Sequence, residues 1–543
     1  MSNPPSRMKL PEIPDDAKEL PWVTDLLRLL IELQQKVEEL EEEIKRLKKT
    51  PGRPKLKASQ IDQSSDKPKG SAGDSESAHG KKRQKGAKRS KTPGLSIDET
   101  RRIAAEEVPA GSIFKGYRSY TVQELIIKAH VIEFQLEQWR TPKGGYCSAL
   151  LPPGYAGSHY GPTLQSFILH QHHHNHVTQP LLLEQLQDLG IEMSAGELNR
   201  LLSERHEAFH AEKAEIKAAG LATSSYLQTD DTGARHRGHN GYCTYLGNDQ
   251  FAYYESTLSK SRINFLQLLQ TERRYELNEA AFDYLEQHRL ARGHLELLKA
   301  LGPVRFDEES AWQNYLQGRG ILSEVAMRIA TEGALVGGLI AQGFRADMAI
   351  LSDDAPQFNL FTHGLCWVHT DRPFTNLVVV SDLERRALRW VQSQLWALYR
   401  ELKDYKTQPN PAAKETIEAG FEALCQTETV CPPLNQRLQR LKENKAELLR
   451  VLERPELPLH NNLSESDLRE RAKKRKISGG TRSEPGRRCR DTFSSLKKTC
   501  RKHGLSFWNY LNDRIRGTGG VPRLADLIHQ AAQRGSALPA VNE

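Results

Sequence analysis

The sequence predicts a multidomain α+β protein on three observations. A heptad near the start gives way to a long basic, polar stretch. Short apolar runs that end on aspartate pairs follow near residues 225 and 350, and helical periodicity fills the spaces between and after them. At 543 residues, three or four structural units are expected. A hydrophobic fraction of 38% supplies a buried core yet leaves room for unstructured segments.

Residues 1–20 are read as a disordered N-terminus and 21–50 as a coiled coil. Leu26, Leu30, Leu33, Val37, Leu40, Ile44 and Leu47 step by four and three, with Val37 and Ile44 at a positions and Leu throughout d. That choice favours a parallel dimer, so a homodimer or higher oligomer through residues 24–48 is expected. The alternative is one amphipathic helix packed on the body of the protein. Residues 51–98 form a basic, disordered linker, with KKRQKGAKRSK at 81–91 suited to holding DNA phosphates without reading sequence, or serving merely as a soluble tether.

Residues 99–158 alternate apolar and polar positions, as in SIFKGYRSYTV and HVIEFQLEQW, and predict a small β-rich unit. Residues 159–222 turn helical. QPLLLEQLQDLG and AGELNRLLSERHEAF resemble helix–turn–helix spacing, with Gly190 ending the first helix and Ser194 capping the second. This region is read either as a DNA-binding pair or as two ordinary short helices. QHHHNH at 171–176 lacks a matching Cys or carboxylate cluster, and zinc is not expected there. SSYLQTDDTGARHRG, GYCTYLGN and QFAYYESTLSK predict three strands, and ADMAILSDDAPQF a fourth. Helical stretches are expected at about 273–340 and at 375–456, where Trp390 and Trp396 are read as core, followed by helices through 457–543.

The 77 Lys and Arg against 69 Asp and Glu give a net charge of +8, a mild sign of an anionic partner. Seven scattered cysteines without a C-x-x-C fit a reducing compartment rather than a disulfide framework. The start carries Pro, Asp and Glu where a signal peptide needs an apolar run, and no stretch reaches the roughly 18 apolar residues of a membrane span. The expectation is a cytoplasmic, nucleoid-associated protein with no membrane partner.

Three acidic sites stand out by placement. Asp230 and Asp353 follow apolar strands, and Glu465 lies in the first turn of a helix after Asn461 and Asn462. Two strand-end aspartates and a helical glutamate supply the hard oxygen donors that two Mg²⁺ ions need for an in-line displacement at phosphorus. Spacing alone does not choose these three among many carboxylates, and solvated or helix-capping roles stand beside this reading.

The surrounding words choose them. LQTDDT at 227–232, ILSDDAPQFN with CWVHTDRPF at 350–374, and HNNLSESDLRERAKKRK at 460–476 occur in that order. Together they resemble the three catalytic blocks of bacterial insertion-sequence family sixty-six, the TnpC-type DDE transposases, as a diverged member lacking the family's Cys-rich zinc unit. The resemblance implies an RNase H-like core in two parts, 223–374 and 457–543, with helical insertions between. It implies Asp230, Asp353 and Glu465 as catalytic metal ligands for two Mg²⁺ or Mn²⁺ ions, with zinc not expected. It further implies Arg469, Arg475 and Lys476 as DNA contacts, with Cys366 and His369 in support. Asp231, Asp354, His460 and Asp371 stand where the family has Glu, Gly, Asp and Arg. Each Asp–Asp pair therefore leaves open which member binds metal, because neighbours on a strand face opposite sides.

The activity implied is cutting at the ends of an insertion sequence and joining of the 3′-hydroxyl to target DNA. Terminal inverted repeats, target DNA and accessory proteins of the same element are the implied partners. The alternatives are a catalytically inactive dimeric DNA-binding regulator and a structure-specific nuclease of the same fold.

Overall fold

The computed structural model describes residues 96–536 apart from Pro153 and Ala156. The expected coiled coil, the N-terminal segment and nearly all of the basic linker lie outside the described residues.

A mixed five-stranded sheet is the organising element. Two short strands precede it, β1 (Gln138–Arg140) and β2 (Tyr146–Ser148), which pair with each other. The sheet itself comprises β3 (Tyr226–His236), β4 (His239–Gly247) and β5 (Ala252–Thr257), joined as an antiparallel meander. After a ribbon of β6 (Tyr275–Leu277) and β7 (Val304–Phe306), strands β8 (Ala349–Ser352) and β9 (Thr362–Leu365) add in parallel, giving the order β5-β4-β3-β8-β9. The long path from β5 to β8 is what a parallel pairing requires, since parallel neighbours need a crossover.

Strand periodicity divides the sheet between two cores. Leu227, Leu246, Phe251, Tyr253 and Ile350 join the large core that includes Ile216 and Ala219 of the Glu207–Thr223 helix. Cys243, Tyr245, Ala252 and Tyr254 pack instead with Leu468 of the Asn462–Ser478 helix. A third core holds the insertion together, around Trp367, Leu395, Trp396 and Phe421.

The free edge of β5 is sealed by side chains. Its amides at Ala252, Tyr254 and Ser256 donate to Thr499 Oγ1 (3.2 Å), Ser495 Oγ (3.0 Å) and Asp491 Oδ2 (2.9 Å) of the Glu484–Lys502 helix. Every second strand residue advances about 6.6 Å and every fourth helix residue about 6 Å, so one helix face matches the row of outward amides. Otherwise these groups would form an exposed edge open to intermolecular pairing. Asp491 also pairs with Arg471, which is itself buried.

Several expectations need correction. The β-rich unit expected over 99–158 contains, among the described residues, only the β1–β2 hairpin. Its apolar side chains, among them Ile103, Tyr120 and Val131, stand exposed, because the alternation has no second layer on which to close. The helical stretch at 273–340 carries the β6–β7 ribbon between its helices. Trp396 is core at 3% exposure, whereas Trp390 is 41% exposed. The C-terminal helical stretch is broken at Gly504, whose φ of +69° is open to glycine, into Glu484–Lys502 and Phe507–Arg516. In 159–222 the elements fall where expected: Gln179–Asp188 ends before Gly190 at φ +78°, and Ser194 caps Ala195–Ser203 through the Glu197 amide (3.1 Å).

Removing Asp491 strands the Arg471 guanidinium in the interior and frees a β5 amide. Asp491→Ala is expected to cost about 3–5 kcal/mol in urea unfolding, against about 1 kcal/mol for Ser495→Ala; equal losses would contradict the distinction between an ionic clamp and a neutral hydrogen bond.

Candidate active site

The site lies where the parallel pairing of β3 and β8 stops: Asp353 follows β8 as expected, but Asp230 lies within β3, which continues to His236 by pairing with β4, rather than after a strand. β3 and β8 run in register, Tyr226 opposite Ala349, Leu227 opposite Ile350 and Gln228 opposite Leu351. Carrying that register two residues further sets Asp230 opposite Asp353, on the same side of the sheet as Gln228 and Leu351. Asp353 is the first residue after β8, where backbone pairing stops and the side chain is free to turn over the sheet end.

The third carboxylate comes from above. The Asn462–Ser478 helix carries Glu465 in its first turn. Asn461, fully buried just before the helix, donates from Nδ2 to the Thr229 carbonyl (2.7 Å), and its amide reaches Cys366 Sγ (3.2 Å). The helix start is thus fastened to the strand residue preceding Asp230 and to the residue preceding the Trp367–Thr375 helix.

Electrostatics bring Asp230, Asp353 and Glu465 into one group. Burial pushes Asp230 up to about 6, and repulsion from Asp353 and Glu465 adds to it; the Asp231 amide (2.7 Å) and His369 offset only part of this. Among the described residues, no side chain hydrogen-bonds or ion-pairs with the carboxylate of Asp230 or Asp353, whose donors are the backbone amides of Asp231 and Ala355 (3.3 Å). Glu465 differs. His369 Nε2 (3.0 Å) and Arg372 Nη2 (3.2 Å) pair with it, the His369 hydrogen bond being the main reason its pKa is lowered. Burial opposes the charge on His369, but hydrogen bonds with Cys366 and Glu465 outweigh it and hold that imidazole up at about 10.

The second aspartate of each pair is occupied elsewhere. Asp231 lies opposite Thr244 on β4, accepts from its hydroxyl and accepts from Gln357 Nε2 (3.0 Å). Asp354 pairs with Arg440 of the Pro432–Glu443 helix. Asp371 is buried, with its carboxylate on Thr375 Oγ1 and Gln392 Nε2 (both 3.0 Å). The cation facing Glu465 therefore comes from Arg372. The His460 ring is half-buried, and Nδ1 has no hydrogen-bond partner among the described residues.

Of the basic residues, Arg469 faces Glu465 electrostatically, Arg475 Nη1 donates to the Gly233 carbonyl on β3, and Lys476 is exposed near the helix end. Sequence reasoning missed Arg372, Gln357, Arg440 and the anchoring role of Asn461. Only Asn461 had a local signal, its position just ahead of the glutamate helix.

The donor set fits divalent cations of the hard kind: carboxylate oxygens, excess negative charge, and two aspartates without compensating side chains. Among the described residues no three His, Cys, Asp or Glu side chains are already gathered around a common point. Glu465 would have to exchange its His369 and Arg372 partners to join the aspartates.

Comparison with known proteins gives the class. A family model described as "Transposase IS66 family" matches residues 345–488, which include Asp353 and Glu465 but not Asp230. "Uncharacterized protein y4jO" of Sinorhizobium fredii is 41% identical over 314 residues, covering 57% of this chain and 98% of that protein. The chain belongs to the IS66 family of transposases.

The folded pKa of Asp230 lies above its ordinary value, so the folded state holds that proton more tightly than the unfolded one. Stability from this group is therefore present below pH 4 and is lost as pH rises through about 6. In EDTA, Asp230→Asn is expected to melt higher than the parent at pH 8, by at most about 3 kcal/mol, with the difference gone near pH 4. A pH-independent difference would contradict the ionised Asp230 carboxylate as its source.

Proposed function

We propose that the chain is a DDE transposase whose Asp230, Asp353 and Glu465 hold two Mg²⁺ or Mn²⁺ ions for cleavage at element ends and joining of the 3′-hydroxyl to target DNA. The observation that carries this is the pair Asp230 and Asp353, level with each other where β3 and β8 part, their carboxylates without side-chain partners among the described residues and Asp230 within electrostatic reach of Glu465. The strand order β5-β4-β3-β8-β9, antiparallel through β3 and parallel beyond it, supports an RNase H-like core.

Bound divalent ions supply activation of the attacking oxygen and stabilisation of the leaving one. The chain's own residues do the rest. The strand register fixes the two aspartates at one level, and Asn461 sets the height of the glutamate helix above them. His369 and Arg372 hold Glu465 as a carboxylate and keep it on the site side of its helix until it is needed. Arg469 lies near enough to Glu465 to meet the phosphate charge brought by DNA, and Arg475 and Lys476 extend that basic edge along the helix.

The flanking regions fit this reading. The Gln179–Asp188 and Ala195–Ser203 helices would recognise DNA, residues 24–48 would pair two copies so that two ends are handled together, and accessory proteins of the element would complete the assembly.

Asp230→Ala, Asp353→Ala and Glu465→Ala are each expected to leave binding of an end-containing duplex within about threefold of the parent. Each should reduce Mg²⁺-dependent strand transfer by at least about a hundredfold. Strand transfer at the parental rate in all three would sink the assignment.

A further inference from the structure

A second anion site lies along β3, past the carboxylates. The outer ends of β3 and β4 and the turn between the Asn462–Ser478 and Glu484–Lys502 helices line a cleft open to solvent. Five arginines line it: Arg235, Arg471, Arg475, Arg487 and Arg490. Two are neutralised, Arg471 by Asp491 and Arg487 by Glu484. The other three have no carboxylate partner among the described residues. Arg235 donates to the Gly238 carbonyl (3.1 Å), Arg475 to that of Gly233, and Arg490 to that of Gly479 (3.0 Å) and to Ser478 Oγ (3.3 Å).

A carbonyl satisfies a guanidinium N–H but leaves its charge in place, so three net positive charges surround one concavity. Burial and the neighbouring Arg471 push Arg490 down to about 10, and the charge of Asp491, itself paired with Arg471, offsets only part of this. The strand wall is bare at two points, Gly233 and Gly241. A Cβ on Gly241 would stand 2.8 Å from the Thr257 carbonyl oxygen.

We propose that this cleft holds a backbone phosphate of the DNA, with Arg235, Arg475 and Arg490 as its donors. The assignment rests on the transposase reading. At about 3.3 Å per strand residue, Thr232 to Arg235 lie roughly 7–17 Å beyond Asp230. That corresponds to about two to five base-pair steps at 3.4 Å each, a separation at which one duplex reaches both the carboxylates and the cleft. Sequence reasoning placed Arg475 among the DNA contacts and did not find Arg235 or Arg490.

The test measures binding of the full chain to a fluorescein-labelled 30-base-pair duplex by anisotropy between 50 and 300 mM KCl in EDTA. The parent, Arg235→Gln, Arg235→Lys and the double variant Arg235→Gln with Arg490→Gln are compared. The slope of log K against log salt should become shallower by about 0.9 for each phosphate no longer neutralised, while Arg235→Lys keeps the parental slope. Arg490 also braces the helix turn; if the double variant fails to fold, Arg235→Gln alone decides. Parental slopes in folded Gln variants would overturn the proposal while leaving the carboxylate assignment standing. Calorimetric binding of inorganic phosphate that Arg235→Gln abolishes, with the DNA slope unchanged, would make this a free-phosphate site and also overturn it. A parent chain that binds no duplex would sink both readings.

Discussion

The Asp491 carboxylate ties together the parts on which the candidate site depends. One oxygen takes the Ser256 amide at the sheet edge, and the other takes the Ser256 hydroxyl and the Arg471 guanidinium from the glutamate helix. The edge strand, the helix that seals it and the helix that carries Glu465 thereby meet at one buried ion pair. Such a pair adds little net stability over a well-packed apolar contact, but it tolerates few alternative geometries once formed. Its consequence here is positional. The Asn462–Ser478 helix is fixed at its start by Asn461 on Thr229 and midway by Arg471 on Asp491, which holds the first turn carrying Glu465 beside β3.

Against that rigid frame, the carboxylate group is electrostatically unfavourable. Asp230 is half-buried beside two other acids, with only a backbone amide as donor to its carboxylate among the described residues. A fold selected for stability alone would place a lysine or an amide there. The neighbouring acids show what relief looks like: Asp231 and Asp354 receive Thr244, Gln357 and Arg440. An uncompensated carboxylate at Asp230, one of the residues that the sequence pattern singles out, is the usual mark of a site built to receive positive charge.

Much of this was legible from local pattern. The strands β3, β4, β5 and β8 follow apolar runs bounded by turns, and Ser194 and Gly190 punctuate their helices as their chemistry predicts. β9 was missed because Thr362–Leu365 is four residues long with His and Gly at its centre, and among the described residues it pairs with β8 alone. The β-rich unit failed for the opposite reason, an alternating pattern with no layer to pack on. At the site, the three acids were found through ordered words around them, but their supports were not. Arg372, Gln357 and Arg440 act across separations of 93, 126 and 86 residues, which no local window can join.

The central claim is that Asp230, Asp353 and Glu465, rather than Asp231 and Asp354, receive the divalent ions. Anomalous diffraction from crystals of the full chain soaked in Mn²⁺ tests it most directly. The account predicts Mn²⁺ peaks about 2.1 Å from carboxylate oxygens of Asp230 and Asp353, with Glu465 turned away from His369 toward the ions. Peaks on Asp231 or Asp354, or Mn²⁺ bound only away from the strand ends, would contradict it.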